Sequence, residues 1–173
     1  MRNLLLIGGL SLGAFFLRRL WTKPAVYLSP HFTLAELTRT SSGLDNTPSQ
    51  EIVKNLKAIG ADLEIIRAQF GPLQITSGYR SAQVNEFVKG AKSSAHLYGS
   101  AVDFVPLRDG VTIGEIAIWV AKMSGLKYDQ VIAEETAGGS KWVHYGKAPP
   151  WLSAPRYALL RKLPNEEPKS WQV

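Results

Sequence analysis

The chain contains no cysteine. Disulfide frameworks, thiolate metal sites and cysteine nucleophiles are excluded together, so any bound metal must be held by His, Asp and Glu. Histidine is scarce too, with three in 173 residues. Internal repeats are absent, and the length favours one domain able to bury a core. Hydrophobic residues at 45% and charged residues at 20% give a globular balance rather than a disordered one. Negative charge is missing from the start of the chain, where Arg2, Arg18, Arg19 and Lys23 all precede the first acid, Glu36. Those four residues supply most of the formal net charge of +6, leaving the rest of the chain close to neutral. A nucleic-acid-binding domain carries its basic excess as a stripe on the folded surface, so no nucleic-acid partner is expected.

The sequence divides into an apolar N-terminal segment, residues 1–23, and a domain over residues 24–173. Leu4 to Leu17 is uncharged and would reach about 21 Å as a helix, short of a hydrocarbon core of about 30 Å. Leu20 and Trp21, with Arg18 and Arg19 snorkelling toward headgroups, nearly close that gap. An uncleaved membrane anchor, a cleaved signal peptide and a buried helix of the domain are all open readings. The absence of a small-x-small cleavage site and the arginine pair favour the anchor, with membrane association through residues 1–21.

Beyond the Pro24–Pro30 linker, a short helix is expected over Leu34–Thr38. A long one is expected from Thr47, with Thr47 and Gln50 as a capping box and Pro48 in the first turn. Ile52, Leu56, Ile59, Leu63, Ile66 and Phe70 recur at helical spacing, and Gly71-Pro72 stops the run. Leu73–Thr76, Ala101–Val105, Asp129–Glu134 and Lys141–Tyr145 read as strands, the last two flanking a hairpin loop. Further helices are expected over Ser81–Val88 and Thr112–Met123, and a polar loop over Gly90–Gly99. The proline-rich and charged tail, 147–173, reads as peripheral to a core at 31–146. Helices and strands without regular alternation indicate an α+β fold with a small antiparallel sheet flanked by helices, plus the N-terminal apolar helix.

The stretch Ser94-Ala95-His96-Leu97-Tyr98-Gly99-Ser100-Ala101-Val102-Asp103 carries the chemistry. A polar loop delivers His96, Gly99 turns the chain, and a strand follows with Asp103 at its centre. A carboxylate within Ala-Val-Asp-Phe-Val is costly to bury unless its charge is compensated. Trp142-Val143-His144-Tyr145 places a second histidine in an apolar strand. Alone, His144 reads as a core histidine and Asp103 as a turn cap or a partner of Arg80. Together, two imidazoles and a carboxylate with a fourth position open to water make a catalytic zinc set.

Ser-x-His-x-x-Gly-x-Ala-x-Asp (Ser94 to Asp103) with the later Trp-x-His (Trp142 to His144) resembles the zinc D-alanyl-D-alanine peptidases. It is most similar to their compact form, common in phage and bacterial cell-wall enzymes. Phe32 to Leu37, Asp45 to Pro48 and Ser77 to Ser81 extend the resemblance over about residues 31–146. The resemblance implies a hedgehog/DD-peptidase-like fold and cleavage of peptidoglycan stem peptides in the periplasm or cell envelope. It implies Zn2+ held by His96, Asp103 and His144, with Arg80 stabilising the oxyanion or holding the substrate carbonyl. Ser94 and Trp142 would contact substrate. Many relatives carry an acid three residues before the last histidine, where this chain has Lys141. The compact pattern puts the general base in Gln-Val-Ile-Ala-Glu, at Glu134. Pairing Ile132 with His144 would turn Glu134 to the metal side, and a slip of one residue would present Glu135 instead. His31 reads as a surface or capping residue.

Overall fold

The structure, a computed structural model, describes residues 24–172. The apolar segment 1–23, and with it the expected N-terminal helix and anchor, lies outside the described residues. Among the described residues no helix is long and apolar enough to cross a membrane.

Thr33 opens helix α1 (Leu34–Leu37) through a capping box in which its hydroxyl and the Glu36 carboxylate each accept the other residue's N–H. Helix α2 (Gln50–Phe70) is capped by Ser49, whose hydroxyl accepts from the Ile52 N–H at 3.3 Å. The expected capping box of Thr47 and Gln50 does not form. Asp45 captures both the amide and the hydroxyl of Thr47, at 3.0 and 2.6 Å. Pro48 also disfavours helical backbone at the residue before it. The apolar face is as expected, with Leu56, Ile59, Leu63 and Ile66 fully buried and Ile52 and Phe70 packed at its ends. Gly71, at φ 85°, ends the helix.

Six strands form one sheet in the order β1 (Leu73–Ser77), β2 (Ala101–Pro106), β4 (Lys141–Gly146), β3 (Gln130–Glu135), β5 (Ala158–Lys162), β6 (Lys169–Ser170). Helix α3 (Ala82–Phe87) and a 3-10 turn (Ala95–Tyr98) lie between β1 and β2, and helix α4 (Ile113–Lys122) between β2 and β3. The 3-10 turn falls within the expected Gly90–Gly99 loop. Val102, Phe104, Val131, Ala133, Val143 and Tyr145 point from the sheet into a core shared with α2 and with Ile116, Ala117 and Val120 of α4. Each fully buried Val, Ile or Phe among them contributes about 1.5–3 kcal/mol.

The sheet is mixed rather than wholly antiparallel, because β5 pairs with β3 in parallel. The tail after β4 therefore supplies two hydrogen-bonded strands, and Leu159 and Trp171 pack against the core. The crossover is fixed by Asp129, which is 1% exposed. Its carboxylate accepts from the backbone N–H and guanidinium of Arg156, and its carbonyl accepts from the Ala158 N–H at 2.9 Å. A second buried polar link joins α2 to β4, where Asp62 accepts from the Tyr145 hydroxyl at 2.7 Å and from Lys147 Nζ at 2.6 Å. Burial, together with the Asp62 charge, raises the Tyr145 phenol far above its usual range and keeps it the donor.

Candidate metal centre

With α2 and α4 on one face of the sheet, the polar side chains of the central strands collect on the other. Asp103 on β2 stands directly opposite His144 on β4, which stands opposite Ile132 on β3. Directly paired residues share a face, and residues two apart along a strand share it too. Trp142 and its partner Glu134 therefore lie on the face of Asp103 and His144, whereas Glu135 and Lys141 lie on the helix-covered face. The register is the one that favours Glu134 over Glu135. Lys141, three residues before His144, is paired with Glu135 on the opposite face from His144.

His96 arrives from outside the sheet. Ser94 caps the 3-10 turn, its hydroxyl accepting from the His96 N–H at 3.4 Å. Gly99 adopts a left-handed conformation at φ 63°, which sends the chain into β2. The turn leaves His96 3% exposed, with Nδ1 donating to the Gly78 carbonyl at 2.7 Å. That bond fixes the tautomer and turns the Nε2 lone pair to the site.

The three donor atoms converge. His96 Nε2 lies 3.3 Å from both His144 Nδ1 and Asp103 Oδ1, and the last two lie 2.8 Å apart. A tetrahedral zinc ion with ligands at about 2.0–2.1 Å has donor-to-donor edges of about 3.3–3.4 Å. Two of the three edges match, and the shorter one is a direct imidazole–carboxylate hydrogen bond. Two imidazole nitrogens and one carboxylate oxygen, facing one another on a sheet, can hold a metal ion and fit zinc.

The second Asp103 oxygen accepts from Arg80 Nη2 at 2.8 Å, and Arg80 Nε donates to Ser77 Oγ at 2.9 Å. Burial alone would raise the Asp103 carboxyl. Its contacts with the His96 and His144 imidazoles outweigh burial and hold the carboxyl well below the usual range. Burial lowers the His96 imidazole, against the pull of Asp103, and favours the neutral form that ligates metal.

Of the residues singled out in the sequence, His96, Asp103, His144 and Arg80 meet in one cluster. Glu134 and Trp142 lie on the same face, with Glu134 3.4 Å from Lys162 Nζ. Ser94 caps the His96 turn. Lys141 pairs with Glu135 at 3.3 Å. His31, exposed, pairs through Nδ1 with Glu64 at 2.8 Å. Sequence reasoning placed Ser77, Gly78 and Asn46 within the stretches of resemblance but gave them no part at the site. The Asn46 amide is buried and donates to the carbonyls of Thr38 and Tyr79, both at 2.8 Å, while its oxygen accepts from the Ser81 N–H at 2.7 Å. It clamps the loop that carries Arg80 to the end of α1, and its trace in the sequence was its place in the Asp45 to Pro48 stretch of the resemblance.

A cavity of about 510 Å3 lies away from this cluster. It lies between the start of α4 and the far end of the sheet, with Glu135, Lys141 and Trp171 in its walls. A cleft of about 350 Å3 adjoins the cluster at Arg80 and Ser77.

A protein-family model described as Peptidase M15 matches residues 30–135. The matched span includes Arg80, Ser94, His96, Asp103 and Glu134, and ends before the strand that carries His144. No curated protein matches the chain. With more than half of its length matched, and with a donor set suited to zinc beside that span, the chain belongs to the Peptidase M15 family of zinc D-Ala-D-Ala peptidases.

Proposed function

We propose that this protein is a zinc-dependent peptidase that hydrolyses peptidoglycan stem peptides, as a D-Ala-D-Ala carboxypeptidase or a murein endopeptidase. The observation that carries this reading is the meeting of His96 Nε2, His144 Nδ1 and Asp103 Oδ1 within bonding reach of a common centre, on a sheet face that also bears Glu134. Zinc, when held there, supplies Lewis acidity that activates water near neutral pH and polarises the scissile carbonyl.

The chain's own residues do the rest. The Glu134 carboxylate takes the proton from the attacking water and delivers it to the leaving amine nitrogen. Arg80 orients Asp103 through Nη2 and presents its remaining N–H groups toward the negative charge that develops on the carbonyl oxygen, a contribution of about 2.7–4 kcal/mol for one such donor. Trp142, beside Glu134, walls the substrate, and Ser94 lies beside the substrate backbone. An apolar N-terminal segment fits a protein held at the cell envelope, associated with the membrane through residues 1–21.

Mass spectrometry of muropeptides after digestion with zinc-loaded protein tests the reading and identifies the bond cut. Release of no peptide fragment from any peptidoglycan type would overturn it. A second reading, a zinc-containing wall-binding or virion structural module without turnover, is favoured by the ion pair between Glu134 and Lys162, which occupies the only acid proposed as base. Pull-down on insoluble peptidoglycan in the absence of cleavage is its signature.

A further inference from the structure

The cleft beside Arg80 is not accounted for by the three metal donors. Arg39, Thr40, Ser41, Thr76, Ser77 and Arg80 contribute to its walls, and no acidic side chain lines it. It shares a wall with the metal cluster. The pairing of β1 with β2 slips between Ile75 and Ser77, which sets Ser77 opposite Asp103. Arg80 then bridges the two spaces, one nitrogen on Ser77 and another on Asp103.

The two guanidiniums differ in what they have left to offer. Arg80 is engaged with Asp103, an ion pair whose side chains are 18% and 10% exposed. Arg39 donates from Nη2 to the Ile75 carbonyl at 2.8 Å, which pins one corner of its guanidinium against β1. Among the described residues no carboxylate pairs with Arg39. A planar cation held by a backbone carbonyl, with N–H groups open to a hydroxyl-lined cleft, matches the bidentate geometry of a carboxylate. Pre-positioning by the Ile75 bond also reduces the side-chain entropy lost when a ligand is gripped.

We propose that Arg39 is a specificity-determining residue that binds a carboxylate of the peptide substrate in this cleft. The inference rests on the peptidase reading above. A stem peptide offers carboxylates from two sources, its C-terminus and its acidic side chains, and the chemistry at Arg39 serves either.

The test uses three synthetic stem pentapeptides containing D-Glu and ending in D-Ala-D-Ala: one unmodified, one amidated at the D-Glu carboxylate, one amidated at the C-terminus. Kinetics and equilibrium binding by calorimetry are measured on zinc-loaded wild type, Arg39→Ala and Arg39→Lys. In wild type, one of the two amidations raises KM and Kd about tenfold or more, as expected for loss of a charge-assisted hydrogen bond, and so identifies the source. Arg39→Ala raises KM for the unmodified peptide to that of the discriminated amide, with the loss in KM rather than kcat. Arg39→Lys recovers part of the preference. Persistence of the preference in Arg39→Ala, an equal loss on all three peptides, or no preference in wild type overturns the proposal. If wild type cuts none of the three, the muropeptide digestion decides the peptidase reading separately, and the calorimetric preference still decides the part played by Arg39.

Discussion

His96 and Gly78 are joined by a 2.7 Å hydrogen bond from the ring Nδ1 to the backbone carbonyl. The position tolerates only glycine, because a Cβ there would lie 2.2 Å from the carbonyl oxygen of Leu37, a backbone atom that cannot swing aside. That carbonyl already accepts the Tyr79 N–H at 2.7 Å. The loop is thus pressed against α1 while its other side orients the His96 imidazole.

Gly78→Ala forces this loop away and withdraws the acceptor from His96. Loss of such an outer-shell partner typically lowers metal affinity about 10–100-fold. Competition titration with a zinc chelator measures it, and an unchanged affinity would show that His96 is held by packing alone.

Zinc raises the melting temperature, and Asp103→Asn removes the effect. At a free zinc concentration of about 100 Kd the gain is about 2.7 kcal/mol, or about 5–10 °C for a chain of this size. Scanning calorimetry with and without zinc checks both proteins. An equal rise in Asp103→Asn would place the ion elsewhere.

Glu134→Gln lowers kcat by about 10²–10⁴-fold while zinc binding stays as in wild type. Single-turnover assays on muropeptides, paired with metal analysis of the same samples, separate the base from the ligands. Wild-type turnover in Glu134→Gln would move the proton transfer to another group.

Asp129 gives the fold a dependence on acid. Burial would raise its carboxyl, but the hydrogen bonds and charge of Arg156 prevail and hold it below the usual range. A carboxyl lowered in the folded state adds stability in full above its unfolded pKa, about 4, and loses it as pH falls through the folded value. Asp129→Asn therefore costs about 2 kcal/mol at pH 7, in line with a hydrogen bond to a charged group, and the deficit shrinks on acidification below about pH 4. Urea titrations at pH 7 and pH 3 read it. A constant deficit across that range would remove the ionic component.

The parts of this molecule legible in its sequence are those where one local pattern has one physical outcome. The α2 face follows from spacing alone, and the β3–β4 hairpin from two strand-like runs flanking a glycine-rich loop, although the register between them stays open by one residue until the structure pairs Ile132 with His144. Asp103 and His144 were recognisable because a strand-centre acid and a strand histidine both need an explanation. What the sequence hid depends on partners far along the chain. Gly78 matters through Leu37 and His96, Asn46 through Thr38, Tyr79 and Ser81, and Arg39 through a carbonyl on β1. Strand β5 was invisible for another reason: five residues between a proline-rich stretch and a charged turn have no periodicity of their own, and they become a strand only because β3 offers an unpaired edge and Asp129 ties the crossover down.

That parallel pairing has a consequence for biosynthesis. Strand β3, which carries Glu134, has β4 on one side as soon as the hairpin closes, but its other edge stays bare until residues 158–162 have been made and have left the ribosome. A nascent chain arrested before that point holds both histidines and the aspartate yet exposes an open strand beside them, the kind of edge that recruits other chains or chaperones.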